Sequence, residues 1–122
     1  MTETNGSTSE ALLREGNALW HDRKPQQALE RYAKAIEALA PDAPIPHRLD
    51  VQSAHALCLC EVGRVASALA IYPRLHRMCV DNGLDDAVVL RQWAKAHEQA
   101  GDFVTARKTY VMATPNDKNA TD

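Results

Sequence analysis

Residues 27–35 read Q-A-L-E-R-Y-A-K-A: an alanine at 28, a tyrosine four places later at 32 and an alanine three further on at 35. The chain has three tyrosines, and every one stands in this setting: Ala28 with Tyr32, Ala68 with Tyr72, Ala106 with Tyr110. Outward from each alanine the agreement continues. Twelve residues before it stands Gly16, Ala56 or Ala94, and three after that tiny residue comes Leu19, Leu59 or His97. Three after each tyrosine comes Ala35, Leu75 or Ala113. Alanine is common enough here to prove little, so the tyrosines carry the comparison. Tyr32 and Tyr72 lie 40 residues apart, and Tyr72 and Tyr110 lie 38 apart, a period typical of stacked helical repeats.

Each copy divides into two helices. Leu12, Gly16 and Leu19 recur at i, i+4, i+7, and Ala28, Leu29, Tyr32, Ala35, Ile36 and Leu39 form a matching stripe on a second helix. Arg23-Lys24-Pro25 breaks the first copy between its helices. Gly63 and Gly101 stand in the later breaks, suited to the left-handed residue that ends a helix, with Asp102 placed to cap the next one. Ser7-Thr8-Ser9-Glu10 reads as a capping box for the first helix. Pro41, Pro44 and Pro46 interrupt any helix between the first two copies, and Pro46 suits a first turn. Pro73 falls inside a helix, where it deletes a hydrogen bond and predicts a kink. The expected helices are about 8–22, 26–40, 47–62, 65–80, 85–100 and 103–114. Two antiparallel helices approach closely only where one presents a tiny side chain. Gly16, Ala56 and Ala94 are therefore expected to face Ala28, Ala68 and Ala106, with a tyrosine ring filling the gap one turn along. The fold class that follows is all-α, an antiparallel helix-hairpin solenoid of three repeats and six helices.

Composition bounds the function. At 122 residues, with 45% hydrophobic and 25% charged, the chain has the length and makeup of one globular domain. Its net charge of −2 supplies no field that would draw it to nucleic acid or to an anionic membrane. Three irregularly spaced cysteines make no disulfide framework. The polar start M-T-E-T-N-G-S-T-S-E is unlike a signal peptide, and no apolar run approaches membrane-spanning length. The expected compartment is the cytoplasm, or the nucleus, and membrane insertion is not expected.

The spacing resembles the tetratricopeptide repeat family, over about residues 9–115. With repeats starting near 9, 49 and 87, the family's small position 8 falls on Gly16, Ala56 and Ala94, its position 20 on Ala28, Ala68 and Ala106, and its position 24 on the three tyrosines. The chain departs from the family where the consensus tryptophan position holds Leu12, Gln52 and Leu90, and where His97 replaces a large apolar residue. The expected domain is 9–114, with repeats over about 9–46, 47–84 and 85–114, between unstructured segments 1–8 and 115–122. What the resemblance implies is binding of another protein, as a peptide or partner helix held in a concave groove lined by the first helix of each repeat. That groove would present Leu13, Asn17, Trp20 and His21, then Ser53, Ala54, Leu57 and Cys60, then Val88, Arg91, Gln92, Lys95 and Glu98. The stretch L-L-R-E-G-N-A-L-W, residues 12–20, is similar to the opening of repeat domains in Hsp70 and Hsp90 co-chaperones, which clamp a C-terminal carboxylate. The clamp positions here hold Leu13, Asn17, Ala54, Val88 and Gln92, and of the family's clamp residues only Asn17 is kept. A carboxylate needs charge-assisted donors to offset its desolvation, and Leu13, Ala54 and Val88 offer none.

Two His-x-x-Cys pairs, His55 with Cys58 and His76 with Cys79, suggest a four-ligand zinc site. With a turn at Gly63–Arg64, antiparallel pairing sets Cys79 about two turns, on the order of 10 Å, from His55, beyond the reach of one ion. No metal, no cofactor and no catalytic residues are expected. After Ala113 the sequence offers only T-P-N-D-K-N-A-T-D, which is too polar to cover a helix edge. The third hairpin is thus expected to expose part of Phe103, Val104, Val111 or Met112, so that either this edge binds something, another copy through residues 103–113 or a partner, or the chain is a domain cut from a larger protein. The reading is a non-catalytic adaptor. Its alternatives are a co-chaperone module and a structural subunit that assembles through that edge.

Overall fold

A computed structural model describes residues 5–113. Among them are six helices and no strand: α1 (Asn5–His21), α2 (Pro25–Glu37), α3 (Ile45–Glu61), α4 (Val65–Asp81), α5 (Ala87–Gln99) and α6 (Phe103–Met112). The expected boundaries differ from these by at most three residues, at the start of α1 (8 against 5) and the end of α2 (40 against 37). Residues 5–8 of the segment expected to lack structure lie in α1, while residues 1–4 and 115–122 lie outside the described residues.

The helix ends explain why the copies share a register. At the end of α1 the Lys24 amide donates to the Leu19 carbonyl (2.9 Å) and the Arg23 amide to the Trp20 carbonyl (2.9 Å). After α3 Arg64 donates to Leu59 (2.8 Å) and Gly63 to Cys60 (3.0 Å), and after α5 Asp102 donates to His97 (2.9 Å) and Gly101 to Glu98 (2.9 Å). These nested pairs are the Schellman ending, which requires a left-handed residue after the helix. Gly63 (φ 87°) and Gly101 (φ 86°) adopt it at no steric cost. In the first copy the same position is Arg23, at φ 62°, a conformation that costs a side-chain-bearing residue about 1 kcal/mol. Asp102 caps α6 as expected, its Oδ1 accepting from the Thr105 amide at 3.1 Å. Pro25 opens α2 and Pro46 stands in the first turn of α3, where neither forfeits a helical hydrogen bond. α4 runs through Pro73 to Asp81.

Two compact units divide the chain after Arg64. In the first, α1 packs along α2 and α2 against α3. An added Cβ at Gly16 would meet the ring of Tyr32 at 2.6 Å, so the tyrosine ring itself lies on the glycine. Ala28 and Ala35 flank it in the core together with Val51, Ala56 and Cys58. The capping box is a correction: Ser7 and Ser9 are inside α1, and Ser9 is fully buried. The Ser9 hydroxyl donates to the Ala35 carbonyl of α2 at 2.9 Å and lies 3.0 Å from Nε2 of His47 on α3, so one side chain ties three helices together. The proline-containing connector between α2 and α3 is held by Arg48, which donates to the carbonyls of Ala40 (2.9 Å), Pro41 (2.5 Å) and Ala43 (3.1 Å). In the second unit α5 packs against both α4 and α6, around Tyr72, Leu75, Cys79, Leu90 and Ala94.

His55 on α3 is half-buried, and its Nδ1 has no hydrogen-bond partner among the described residues. Burial, with the charge of Arg64 adding, lowers its pKa. The unfolded chain therefore binds this proton more readily than the folded one. Stability should be level above the unfolded value of about 6.5 and fall as pH drops below it, until the folded group also titrates. Urea midpoints for the wild type and His55→Leu, followed from pH 8 to pH 5, should converge or cross as the acid loss is removed in the variant. An unchanged acid slope in His55→Leu would show that another group is responsible.

Candidate interaction surface

Three of the sequence-predicted α1 residues, Asn17, Trp20 and His21, meet Ala54 and Leu57 of α3 and Tyr32 of α2 around an open depression of about 250 Å³. Gly16 makes this arrangement. With no Cβ there, the Tyr32 ring can lie on α1, and its hydroxyl donates to Oδ1 of the next residue, Asn17, at 2.6 Å. Burial, with nearby Cys58 adding, pushes the Tyr32 hydroxyl up to about 12, so it stays a donor at any working pH. The bond engages the oxygen of the Asn17 carboxamide on an otherwise exposed residue and leaves its N–H groups to donate. Trp20 and His21 also wall a second depression, of about 510 Å³, whose far side is Arg23, Pro25 and Glu61. The two hollows together offer apolar walls at one end, amide and imidazole donors in the middle, and one charge of each sign at the other. The smaller hollow is below the roughly 300–1,000 Å³ of small-molecule sites and is closer to the volume of one large apolar side chain.

The other predicted residues lie elsewhere. Leu13 is half-buried on α1, and Ser53 donates its hydroxyl to the Asp50 carbonyl within α3 (3.3 Å). Cys60 is a correction: it is buried, near the end of α3 where the chain turns, and offers no surface. In the second unit Val88, Arg91, Lys95 and Glu98 are exposed along α5, while Gln92 is half-buried and accepts from the Tyr72 hydroxyl at 3.5 Å. Sequence reasoning missed Tyr32 as a wall of the depression, and Arg23 and Glu61 as its neighbours. A signal for the first was present: Gly16 and Asn17 are adjacent, and a hairpin brings residue 32 to them.

Among the described residues, the closest approach of a hydroxyl to an imidazole is not an activated pair. Ser9 and His47 have the spacing of a nucleophile and base, but the serine proton goes to Ala35, which leaves the imidazole as donor and the hydroxyl unactivated. Burial, with Glu61 adding, pushes the Cys58 thiol up to about 11, and burial also raises Cys60 and Cys79, so all three remain thiols at neutral pH. Among the described residues no three His, Cys, Asp or Glu side chains are grouped to hold a metal ion, and no helix is long and apolar enough to cross a membrane.

No protein-family model matches the chain, and no curated protein matches it in sequence. Among solved structures it is similar to the TPR domain of Arabidopsis FLU, with a TM-score of 0.83 at 15% identity, over 98% of this chain and 100% of that one. The fold is thus that of a tetratricopeptide helical-repeat domain.

Proposed function

We propose that this chain is a non-catalytic interaction module that takes a segment of another protein on the exposed faces of α1 and α3. The observation that carries this reading is the depression bounded by Asn17, Trp20, Leu57 and Tyr32, with an apolar floor and a carboxamide held in place at its rim. Helical-repeat domains of this kind are generally protein-binding modules, and an extended or helical segment with one large apolar side chain suits the hollow's size and lining. The α5 face with Val88, Arg91, Gln92 and Lys95 is proposed as a further contact surface for acidic residues. The cytoplasm or nucleus is the proposed setting, in keeping with Cys58, Cys60 and Cys79 being buried and outside any disulfide.

Selection of a displayed random peptide library on the purified protein should enrich sequences with a spaced large apolar residue. Their binding should quench Trp20 fluorescence, read in a Trp93→Phe background. Asn17→Ala and Leu57→Lys should each weaken binding about tenfold or more, the range of a central contact. Enriched peptides that bind both variants as well as wild type would sink the reading. Peptides ending in Glu-Glu-Val-Asp should bind no better than scrambled ones, because Leu13, Ala54 and Val88 stand where a co-chaperone clamp needs donors.

A further inference from the structure

The large apolar side chains exposed among the described residues are concentrated on one helix. Of six such residues four are on α6: Phe103 (66% exposed), Val104 (68%), Val111 (63%) and Met112 (53%). At 100° per residue, Tyr110, Phe103, Val111 and Val104 form a stripe about 120° wide, beside the buried face of Ala106 and Thr109. Arg107 stands in the middle of this stripe and makes no hydrogen bond or ion pair among the described residues. Next to it is an open hollow of about 480 Å³, lined by Phe103, Ala106, Tyr110 and Val111, with Glu98 of α5 at its wall. The Tyr110 hydroxyl donates to Oε1 of Glu98 at 3.1 Å, which orients the carboxylate and leaves Oε2 available.

We propose that a second copy of this chain docks on this face, as an isologous two-fold pair in which Arg107 of each copy meets Glu98 of the other. A patch that carries a ridge, a hollow, an unpaired cation and an oriented anion is complementary to itself, which is what a two-fold interface requires. A guanidinium within an apolar stripe disfavours an apolar partner unless a carboxylate is supplied, and the same surface supplies one. The net charge of −2 puts little repulsion between copies.

Sedimentation velocity of the full chain from micromolar to several hundred micromolar should show a concentration-dependent dimer. Glu98→Arg alone and Arg107→Glu alone should each raise the dissociation constant at least about tenfold, the range of a central interface charge. The double variant should restore pairing, and the two single variants mixed in equal amounts should pair with each other. Tyr110→Phe controls for the lost hydroxyl, and helix content by circular dichroism confirms folding of each variant. A monomer at every concentration overturns the proposal. So does a dimer indifferent to both charge reversals, or failure of the mixed variants to associate.

Discussion

Replacing Gly16 by valine is expected to destabilise the first unit by about 3 kcal/mol, the upper part of the usual range for overpacking a core. The reason is geometric. A Cβ at this position lies 2.6 Å from Cε1, 2.8 Å from Cδ1 and 3.1 Å from Cζ of Tyr32, all on a rigid ring. That ring is 2% exposed, and its hydroxyl is bonded to Asn17, so it has little room to give way. Valine adds two methyl groups to the clash. Alanine brings the clashing Cβ alone, offset in part by the roughly 1 kcal/mol of helix propensity it gains over glycine, so Gly16→Ala should still destabilise, by about 1–2 kcal/mol, less than valine. Urea midpoints at constant slope measure both. Combining Gly16→Ala with Tyr32→Leu should recover part of the single-site costs, because the two side chains share one space. If Gly16→Val unfolds at the wild-type midpoint, the close approach of α1 to the Tyr32 ring is not real. The same substitution bears on function: a ring pushed off α1 takes its hydroxyl from Asn17, so binding in the α1/α3 depression should fall along with stability.

That coupling shows which parts of this protein were legible in its sequence. The packing of α1 on α2 and of α5 on α6 was legible because a tiny residue, an alanine and a tyrosine at fixed spacing describe contact between chain-adjacent helices. The glycine endings at Gly63 and Gly101 were legible for the same local reason. Arg23 was not, since nothing in the residue type announces a left-handed backbone; only its place in the register with the two glycines does. The capping box Ser7-Thr8-Ser9-Glu10 was misread because it is a local pattern that does not fix where a helix starts, and it hid the tertiary role of Ser9, whose hydroxyl is claimed by Ala35, 26 residues away, and His47, 38 away. Burial there leaves no option but tertiary partners. At the candidate site, helical spacing was enough to place Asn17, Trp20, His21 and Leu57 on exposed or half-exposed faces. It failed for Cys60, one turn beyond Leu57 on the same helix, which is buried near the turn. It also cast Tyr32 as a packing residue alone, because whether a buried ring also reaches the surface depends on the length of its polar end.

The three tyrosines should separate sharply when each is cut to alanine. Tyr72→Ala and Tyr32→Ala are expected to cost about 3–5 kcal/mol, the range for deleting a buried aromatic ring, since these rings are 0% and 2% exposed. Tyr110→Ala should cost about 1 kcal/mol or less, because its ring is half-buried and its hydroxyl bond to Glu98 is at the surface. Equal losses at all three sites would contradict the burial that distinguishes them. The phenylalanine series asks a different question. Each hydroxyl reaches an amide or carboxylate on another helix: Tyr32 to Asn17, Tyr72 to Gln92, Tyr110 to Glu98. A ring that served packing alone could be phenylalanine at every position, so the recurrent hydroxyl is what distinguishes the repeated residue. Because Asn17 is an exposed residue and the bond is only partly buried, Tyr32→Phe should lose only about 0.5–1.5 kcal/mol of stability. Its carboxamide, however, would then rotate freely, and ordering it on binding again would carry an entropic cost. Peptide affinity in the α1/α3 depression should therefore fall severalfold in Tyr32→Phe while the fold survives. In Tyr72→Phe and Tyr110→Phe that affinity should stay at the wild-type value.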